Sequence, residues 1–310
     1  MKAIRTSVQA PSDVVMIRPH LFTVNTETAS DNVFQKMEEA AADLSGLAHQ
    51  EITRAVETLR SHGVRVHLFE DEGRDTPDSV FPNNWFSTHA GGHVAIYPMK
   101  APSRRRERRA DIIEMLKAEY RVQDVIDYSG LEPDGLFLEG TGAMVLDHID
   151  RVAYAVQSER TNPIALERFC THFNFEPMVF AAADRHGVAI YHTNVLMCIA
   201  TDYALVGLSL ITDAARRDEI ANRLRDTGRE VIDISEEQIA RFAGNALELS
   251  GEFGRILVMS TTARESLSQQ QIDMIQTSTP IVALDIPTIE RAGGSVRCTI
   301  AGLHLTRRTR

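Results

Sequence analysis

Strand-like and helix-like segments alternate along the whole of this chain, and this alternation limits the folds open to it more than any other feature. Two or three short strand-like runs are followed by one helical run and then by a further strand. This unit recurs about four or five times over 310 residues, and no low-complexity linker interrupts the series. Repeats that share the order of their strands and helices but little sequence identity are typical of a cyclic array. We therefore predict one α/β domain, residues 1–310, with a cyclic repeat architecture rather than a doubly wound sheet.

Several runs predict individual elements. Residues 32–46, "NVFQKMEEAAADLSG", predict a helix, and residues 104–120, "RRRERRADIIEMLKAEY", predict an amphipathic helix with Ser103 as its N-cap. Residues 78–99 predict two strands around a Gly-Gly turn. Residues 191–200, "YHTNVLMCIA", predict a strand. In a radial array the ends of such strands converge on the centre, so a site there would draw residues from the whole sequence.

Composition and charge exclude several classes of function. The formal net charge of −10 argues against a general nucleic-acid binder, and no uninterrupted apolar stretch is long enough to span a membrane. The three cysteines, Cys170, Cys198 and Cys298, do not make a disulfide framework. Without a secretory signal pattern either, we expect a cytoplasmic protein. No Cys/His cluster has the spacing of a metal site, and "GTGAMV" lacks the third glycine of a dinucleotide loop.

Three stretches carry polar residues that a plain strand does not need. In "PDSVFPNNW", Asp78, Asn83 and Asn84 interrupt an apolar run, although an ordinary turn is the simpler explanation. In "LFLEGTG", Glu139 follows an apolar run and precedes glycines, and in "QSERTN", Arg160 follows another apolar run. Taken alone, each of these two residues is typical of a solvated charge.

Two further stretches carry a histidine and a cysteine. On the predicted strand 191–200, His192 and Asn194 share one face because alternate residues point the same way, although a lone histidine is more often structural. In "GGSVRCTIAGLHL", glycines precede Cys298 and would allow close approach of a ligand, and Arg297 adds local positive potential. Cys198 lies among large apolar residues and is predicted to be core.

Taken in this order, the five stretches resemble the pentein superfamily of guanidino- and ureido-group modifying enzymes. That superfamily includes arginine deiminase, dimethylarginine dimethylaminohydrolase and the amidinotransferases. The resemblance extends from "MIRP" to "RCTIAGLHL", and "FPNNWFSTH" and "FAGNALEL" look most like its citrulline-hydrolysing branch. It implies an α/β five-bladed propeller of ββαβ modules with the active site on the central axis.

The resemblance also implies roles for individual residues. Cys298 would be the nucleophile, His192 the general acid/base, and Glu139 the residue that orients His192. Neither a metal nor an organic cofactor is implied, and the partner would be a small amino-acid substrate. The resemblance leaves open whether the protein forms a homo-oligomer.

Further positions correspond to the substrate-binding residues of the superfamily. Arg104 and Arg160 fall where the α-carboxylate is bound, and paired guanidinium N–H groups suit that task. Asp78 falls where the α-ammonium is held. Asn83, Asn84 and Asn194 complete the predicted set.

The departures from the deiminase pattern indicate the substrate class. Deiminases have a carboxylate at the position of Asn84 and an aspartate at that of Asn194, and the acidic "EGGD" element is "EGTG" here. A buried guanidinium needs carboxylates, whereas a neutral ureido group, with one acceptor and several donors, is complemented by amides. We therefore predict hydrolysis of citrulline to ornithine, ammonia and CO2.

Other functions remain open at this point. The first alternative is a guanidino substrate, as in an arginine dihydrolase, an arginine deiminase or a dimethylarginine hydrolase. An amidinotransferase would need an amine acceptor instead of water. A non-catalytic pentein acting as a binding protein is a further alternative, because a fold alone implies no activity.

Overall fold

The computed structural model describes residues 8–29, 32, 34–36 and 43–309. In this part of the chain, fifteen strands form five three-stranded sheets. In every sheet the middle strand pairs antiparallel with one neighbour and parallel with the other. A helix links each parallel pair, since parallel neighbours need a crossover connection. The predicted five-bladed α/β fold of ββαβ modules is therefore confirmed.

The five sheets have the strand orders β15-β1-β2, β3-β4-β5, β6-β7-β8, β9-β10-β11 and β12-β13-β14. The strands are β1 (Asp13–Pro19), β2 (Arg65–Asp71), β3 (Phe86–His89), β4 (His93–Ile96), β5 (Asp124–Asp127), β6 (Met144–Asp147), β7 (Val152–Val156), β8 (Glu176–Phe180), β9 (Met197–Ile199), β10 (Tyr203–Val206), β11 (Glu230–Asp233), β12 (Leu247–Gly251), β13 (Gly254–Ser260), β14 (Ile281–Leu284) and β15 (Ala301–Leu303).

The helices are of two kinds, long crossover helices on the outside of the blades and short helices between elements. They are α1 (Leu44–Ser61), α2 (Pro102–Arg105), α3 (Ala110–Glu119), α4 (Gly140–Ala143), α5 (Pro163–Phe173), α6 (Thr193–Leu196), α7 (Ala214–Asp226), α8 (Glu236–Ile239), α9 (Thr261–Ser266), α10 (Gln269–Gln276), α11 (Pro287–Glu290) and α12 (Val296–Thr299). None of the helices in the described ranges is both long and apolar enough to cross a membrane.

The ring is closed by the last strand of the chain. β15 pairs antiparallel with β1, with Asp13 opposite Leu303 and Val15 opposite Ala301. The first blade therefore contains strands from both ends of the sequence. The strands nearest the axis are buried at every position in β3, β6 and β9, because each blade covers the inner strand of the next.

The helix predicted for residues 32–46 is not observed where the chain is described. Phe34 lies in a turn and Gln35 forms an isolated bridge to Ala292. Residues 37–42 lie outside the described residues. The helical pattern becomes a helix only at Leu44, where Asp43 accepts a hydrogen bond from the N–H of Gly46 as N-cap.

The predicted helix over residues 104–120 is divided in two, and Ser103 is not an N-cap. Ser103 lies inside α2, after Ala101 at the cap position. The chain leaves helical geometry between α2 and α3 because neighbouring side chains take different partners. Arg104 and Glu107 pair in the interior, whereas Arg108 pairs with Glu132 on the outer side.

The strand predicted for residues 191–200 is also shorter than expected. Residues Thr193–Leu196 form helix α6, with His192 at its N-cap position, and the strand begins only at Met197. His192 and Asn194 are therefore brought together by one helical turn and not by strand alternation.

A buried ion pair joins the third blade to the fourth. Arg229, which precedes β11, donates to both carboxylate oxygens of Asp147 at 2.6 and 2.9 Å and to the carbonyl oxygen of Ala200 at 2.7 Å. Asp147 ends β6 and also accepts from the N–H groups of Ile149 and Asp150. Both side chains are about 1% exposed, so neither charge can be solvated if the other is removed.

We predict that Arg229→Met lowers the free energy of unfolding by about 3–5 kcal/mol, because it leaves the carboxylate of Asp147 buried and unpaired. The double variant with Asp147→Asn should regain part of this loss, since asparagine keeps the turn acceptor without the charge. Urea unfolding measures both. As a control, Arg223→Met removes a partly exposed pair with Asp150 and should cost less than about 1 kcal/mol. Equal losses for the two arginines would contradict the prediction.

Candidate active site

Five turns, one from each blade, meet at one end of the central axis. Each turn precedes the inner strand of its blade, and each brings a residue two or three positions before that strand to the centre. Contacts between the turns show the convergence, since Gly142 packs against Asn84 and His192 while two amides reach Cys298. The residues at these positions are Asn84, Gly142, Asn194, Asn245 and Cys298.

The turns surround a cavity that contains most of the residues predicted from the sequence. Six of them line it: Asp78, Asn84, Arg104, Arg160, His192 and Cys298. Asn83, Glu139 and Asn194 are each fully buried behind that lining. The predicted set is thus one spatial cluster, although its members are spread over more than two hundred residues of sequence.

Cys298 lies in α12 with its thiol among amide groups. Its Sγ accepts hydrogen bonds from Nδ2 of Asn194 at 3.2 Å and from Nδ2 of Asn245 at 3.3 Å. Its backbone N–H donates to the carbonyl oxygen of Ser295 at 2.9 Å. Two N–H donors directed at the sulfur stabilise negative charge there, so the setting suits a nucleophilic thiolate.

His192 and Glu139 form a buried hydrogen-bonded pair. Nε2 of His192 donates to Oε2 of Glu139 at 3.0 Å, and both side chains are almost completely buried. Burial lowers the pKa of His192 to about 4, although the carboxylate opposes this shift. The imidazole is therefore neutral near pH 7, and because Nε2 carries the proton, Nδ1 is left as a base.

Glu139 occupies the equivalent position in the preceding blade. Both Glu139 and His192 lie five residues before the inner strand of their blade. Burial alone would raise the pKa of Glu139, but Arg160, His192 and Arg104 together hold it well below its usual value. Glu139 is therefore a permanent anion beneath the histidine.

Arg104 is held by three carboxylates. Its Nε and Nη2 donate to Glu107 at 3.2 and 3.0 Å, its Nε lies 3.6 Å from Asp78, and its Nη1 lies 3.7 Å from Glu139. Burial lowers the pKa of Arg104, yet these carboxylates raise it above its usual value overall. One edge of the guanidinium is thus committed to Glu107.

Arg160 has a different environment. Its guanidinium lies over the ring of Tyr191, 4.8 Å from the ring centre, and its Nη1 lies 3.4 Å from Oε2 of Glu139. The hydroxyl of Tyr191 donates to the carbonyl oxygen of Gly293 at 2.7 Å. Aromatic stacking keeps the planar guanidinium in one orientation at the cavity wall.

Asp78 presents one oxygen without a hydrogen-bond partner. Its Oδ2 accepts from Nδ2 of Asn25 at 2.8 Å, whereas Oδ1 is buried and unpaired among the described residues. An unpaired buried carboxylate oxygen is costly. An amino-acid ammonium group would supply the missing donors at this point of the cavity.

Asn84 is oriented by its neighbours. With the amide placed to satisfy them, Oδ1 accepts from Nη1 of Arg104 at 2.8 Å and Nδ2 lies 3.3 Å from the side chain of Asn83. The side-chain amide of Asn84 lies directly over Gly142. A Cβ atom at residue 142 would lie 2.2 Å from this amide and 2.8 Å from the ring of His192. Residue 142 must therefore be glycine for Asn84 and His192 to approach each other.

The sequence profile described as N,N dimethylarginine dimethylhydrolase, eukaryotic, matches residues 18–305. The chain belongs to this family. Its members are cysteine-dependent hydrolases that act on amidino groups, and this protein is such an enzyme. A comparison with curated proteins found no match.

Solved structures share the fold of this family member at low sequence identity. The N-terminal domain of ArgZ, an arginine dihydrolase from the ornithine-ammonia cycle in cyanobacteria, was solved with substrate; it superposes with a TM-score of 0.73 at 17% identity, over 94% of this chain and 99% of that chain. Dimethylarginine dimethylaminohydrolase from Pseudomonas aeruginosa, complexed with citrulline, gives 0.64 at 14% identity, over 94% and 99%. Unliganded AgrE gives 0.74 at 18% identity, over 94% of this chain and 39% of that chain.

The site of this dimethylarginine dimethylhydrolase family member contains more carboxylates than guanidinium groups. Among the described residues, Asp78, Glu107 and Glu139 share two guanidinium groups, those of Arg104 and Arg160. One carboxylate is therefore in excess. Burial accordingly raises the pKa of Glu107 to about 8 and raises that of Asp78.

Several residues of the site were not predicted from the sequence, among them Tyr191 beneath Arg160, Asn245 and Glu107. Asn245, which holds the Cys298 thiol, lies in the turn before β12, the position equivalent to Asn84 and Gly142 in their blades. Aligning the five turns would have identified it. Glu107 follows Arg104 by three residues, the spacing of a helical ion pair, but it lies in a run of arginines that predicted a solvated face.

Arg297 does not line this cavity, although its charge interacts with Cys298 as expected. Arg297 lies beside Cys298 in α12, but its side chain points to the opposite side and lines a second cavity further along the axis. This orientation follows from the helical geometry of α12, in which adjacent side chains diverge. Cys198 is buried as predicted, and burial raises its pKa to about 12.

We predict that Gly142→Ala lowers kcat/KM, measured as ammonia release, by about 10²-fold, because the added methyl group displaces Asn84 or His192 from its position. Gly130→Ala is the matched control, since a Cβ there meets no atom within 4 Å. Circular dichroism should show both variants folded. Full activity in Gly142→Ala would show that the approach of Asn84 to His192 is not needed.

Proposed function

We propose that the protein hydrolyses citrulline to ornithine, ammonia and CO2 through a covalent intermediate on Cys298. One observation carries this proposal: the amide of Asn84 lines the reacting end of the cavity beside His192, and the amides of Asn194 and Asn245 hold the Cys298 thiol from behind that lining. Glu139, the carboxylate nearest to this end, is bound to His192 and the two arginines. Amides offer donors and acceptors to a neutral ureido group but no counter-charge to a guanidinium.

In the first half of the reaction, Cys298 attacks the ureido carbon. Nδ1 of the neutral His192 accepts the thiol proton, and the resulting imidazolium is stabilised by Glu139 through Nε2. The bond from the ureido carbon to the δ-nitrogen then breaks. His192 returns the proton to that nitrogen, so ornithine leaves and an S-carbamoyl group remains on Cys298.

In the second half, water replaces the departed amine. Nδ1 of His192 accepts a proton from this water as the oxygen attacks the carbamoyl carbon, and the thiolate of Cys298 departs. The product is carbamate, which decomposes to ammonia and CO2. Negative charge returns to a sulfur that already accepts N–H groups from Asn194 and Asn245, so the leaving thiolate is stabilised.

The far end of the cavity is suited to the amino-acid part of the substrate. Arg160 would bind the α-carboxylate through paired N–H groups, held in position by Tyr191. The unpaired oxygen of Asp78 would accept from the α-ammonium. Arg104, predicted as a second carboxylate ligand, has Nε and Nη2 on Glu107 and donates from Nη1 to the amide oxygen of Asn84, so at most one N–H of Nη1 is left for that task.

A second candidate is arginine dihydrolysis, and the charge of the site favours it. The carboxylate in excess among Asp78, Glu107 and Glu139 would be compensated by a cationic substrate. ArgZ, whose fold this chain shares, is described as an arginine dihydrolase. The amides at the reacting end weigh against this candidate, because they leave the guanidinium itself without a counter-charge.

Incubating the protein in parallel with citrulline, arginine and methylated arginines, and quantifying products by mass spectrometry, tests the proposal. We expect ornithine from citrulline, with the highest kcat/KM of the set. Cys298→Ser should lower turnover below about one-thousandth of the wild-type value, since serine is a far weaker nucleophile here. A higher kcat/KM for arginine than for citrulline would replace the proposal with the second candidate.

We predict that Asn84→Asp changes the ratio of kcat/KM for citrulline to that for arginine by about one to two orders of magnitude in favour of arginine, because one mispaired buried polar contact costs roughly 1–3 kcal/mol. Asn222→Asp is the control. Asn222 is exposed in α7, outside the cavity, so the same substitution there should leave the ratio unchanged. If both variants shift the ratio equally, Asn84 does not determine the substrate.

A further inference from the structure

A second cavity lies on the axis between the inner strands, below the turns that carry the active site. Residues of β3, β6, β9 and β15 line it, together with Leu247 at the start of β12. Its volume is about 50 Å³. About 10–15 Å³ of such space holds one water molecule, so the cavity has room for a small ion with a few water molecules but not for an amino acid.

Arg297 places a positive charge in this cavity. Its Nη1 donates to the carbonyl oxygen of Ile300 at 3.0 Å, which satisfies one N–H of the guanidinium. No ion pair joins Arg297 to a carboxylate in the described parts of the chain. An arginine stays charged at any ordinary pH, and the side chain of Arg297 is only partly buried, so water or an anion in the cavity can meet its charge.

The neighbouring acidic groups do not neutralise this charge inside the cavity, because the sulfur of Cys298, the first charge partner of Arg297, lies outside the cavity lining. Burial raises the pKa of the Cys198 thiol to about 12, so this side chain is neutral near pH 7. Glu248 binds Arg255 at 2.9 Å and accepts from the hydroxyl of Thr201 at 2.6 Å. The cavity lining itself contains neither aspartate nor glutamate.

Two histidines complete a lining that can donate to an anion. The rings of His148 and His304 are stacked with their centres 3.8 Å apart, and both line the cavity with Arg297. Burial lowers the pKa of both rings, and Arg297 contributes to the shift. The ring of His304 is hydrogen-bonded to the backbone of Val8, whereas the neutral imidazole of His148 keeps one N–H that can donate to an anion without adding a repelling charge beside the arginine.

We propose that the axial cavity binds one small monovalent inorganic anion, with the Arg297 guanidinium as its counter-ion and the imidazole of His148 as a further donor. The binding does not depend on which substrate the active site takes. Chloride and bicarbonate share the required size and charge, so the anion can come from either source.

Thermal unfolding tests the site on the full-length protein. Sodium gluconate is the reference salt, because gluconate is too large for the cavity, and ionic strength is held constant while chloride or bicarbonate replaces it. Binding to the folded state alone should raise Tm by roughly 1–3 °C as the small anion saturates the site. The comparison of the two salts shows which anion binds more tightly.

Arg297→Met should abolish this rise, whereas the control Arg225→Met, which removes an arginine from the exposed end of α7, should keep it. A bromide soak of wild-type crystals provides a second measurement that needs no variant: an anomalous peak should lie beside the Arg297 guanidinium. The proposal is overturned if the peak is absent, or if Arg297→Met retains the full chloride response.

Discussion

The buried carboxylate of Glu139 determines how the rest of the site is arranged. An ionised carboxylate with no access to water costs several kcal/mol unless donors surround it. Here His192, Arg160 and Arg104 all lie within 3.7 Å of one oxygen, Oε2, while Oε1 accepts from the N–H of Lys100 at 3.1 Å. The position of the histidine and of both guanidinium groups therefore follows from the need to satisfy one acid, and substrate contacts are built on that arrangement.

The propeller supplies the geometry that this arrangement needs. One turn of each blade lies at the axis. Five short segments that are far apart in sequence can therefore place their side chains within contact distance of one another. The approach is close enough that glycine is required between segments. Gly140 has a φ of +47°, and a Cβ there would lie 2.5 Å from the carbonyl oxygen of Asn83. The glycines of "LEGTG" thus serve the packing of turns against each other rather than the cradling of a phosphate.

The sequence predicted the repeat architecture and most of the site, and its failures have identifiable physical causes. Alternation of strand and helix is a property of long segments, so the five modules could be predicted. The turns that carry Asn194 and Cys298 are four-residue helices, too short to produce a period, so the direction of each side chain could not be deduced. For that reason the sequence could not show that Arg297, whose charge does interact with Cys298, lines the axial cavity and not the active-site cavity. Asn245 and Glu107 were missed because their function depends on contacts between blades, which no local pattern reports.

Charge and amide groups divide the active-site cavity into two ends with different tasks. In the proposed reaction, Asp78, Arg104 and Arg160 at the amino-acid end would provide interactions that any α-amino acid satisfies equally, so they would contribute affinity without distinguishing substrates. At the reacting end, Asn84 and Asn194 differ from aspartate by one group each, yet an amide and a carboxylate present opposite patterns of donor and acceptor. On this proposal, the choice between a ureido and a guanidino substrate would depend on a few amides. Because Arg104 pairs with Glu107 and also donates to the amide oxygen of Asn84, protonation of Glu107 would change the pairing of Arg104 and with it the position of that amide.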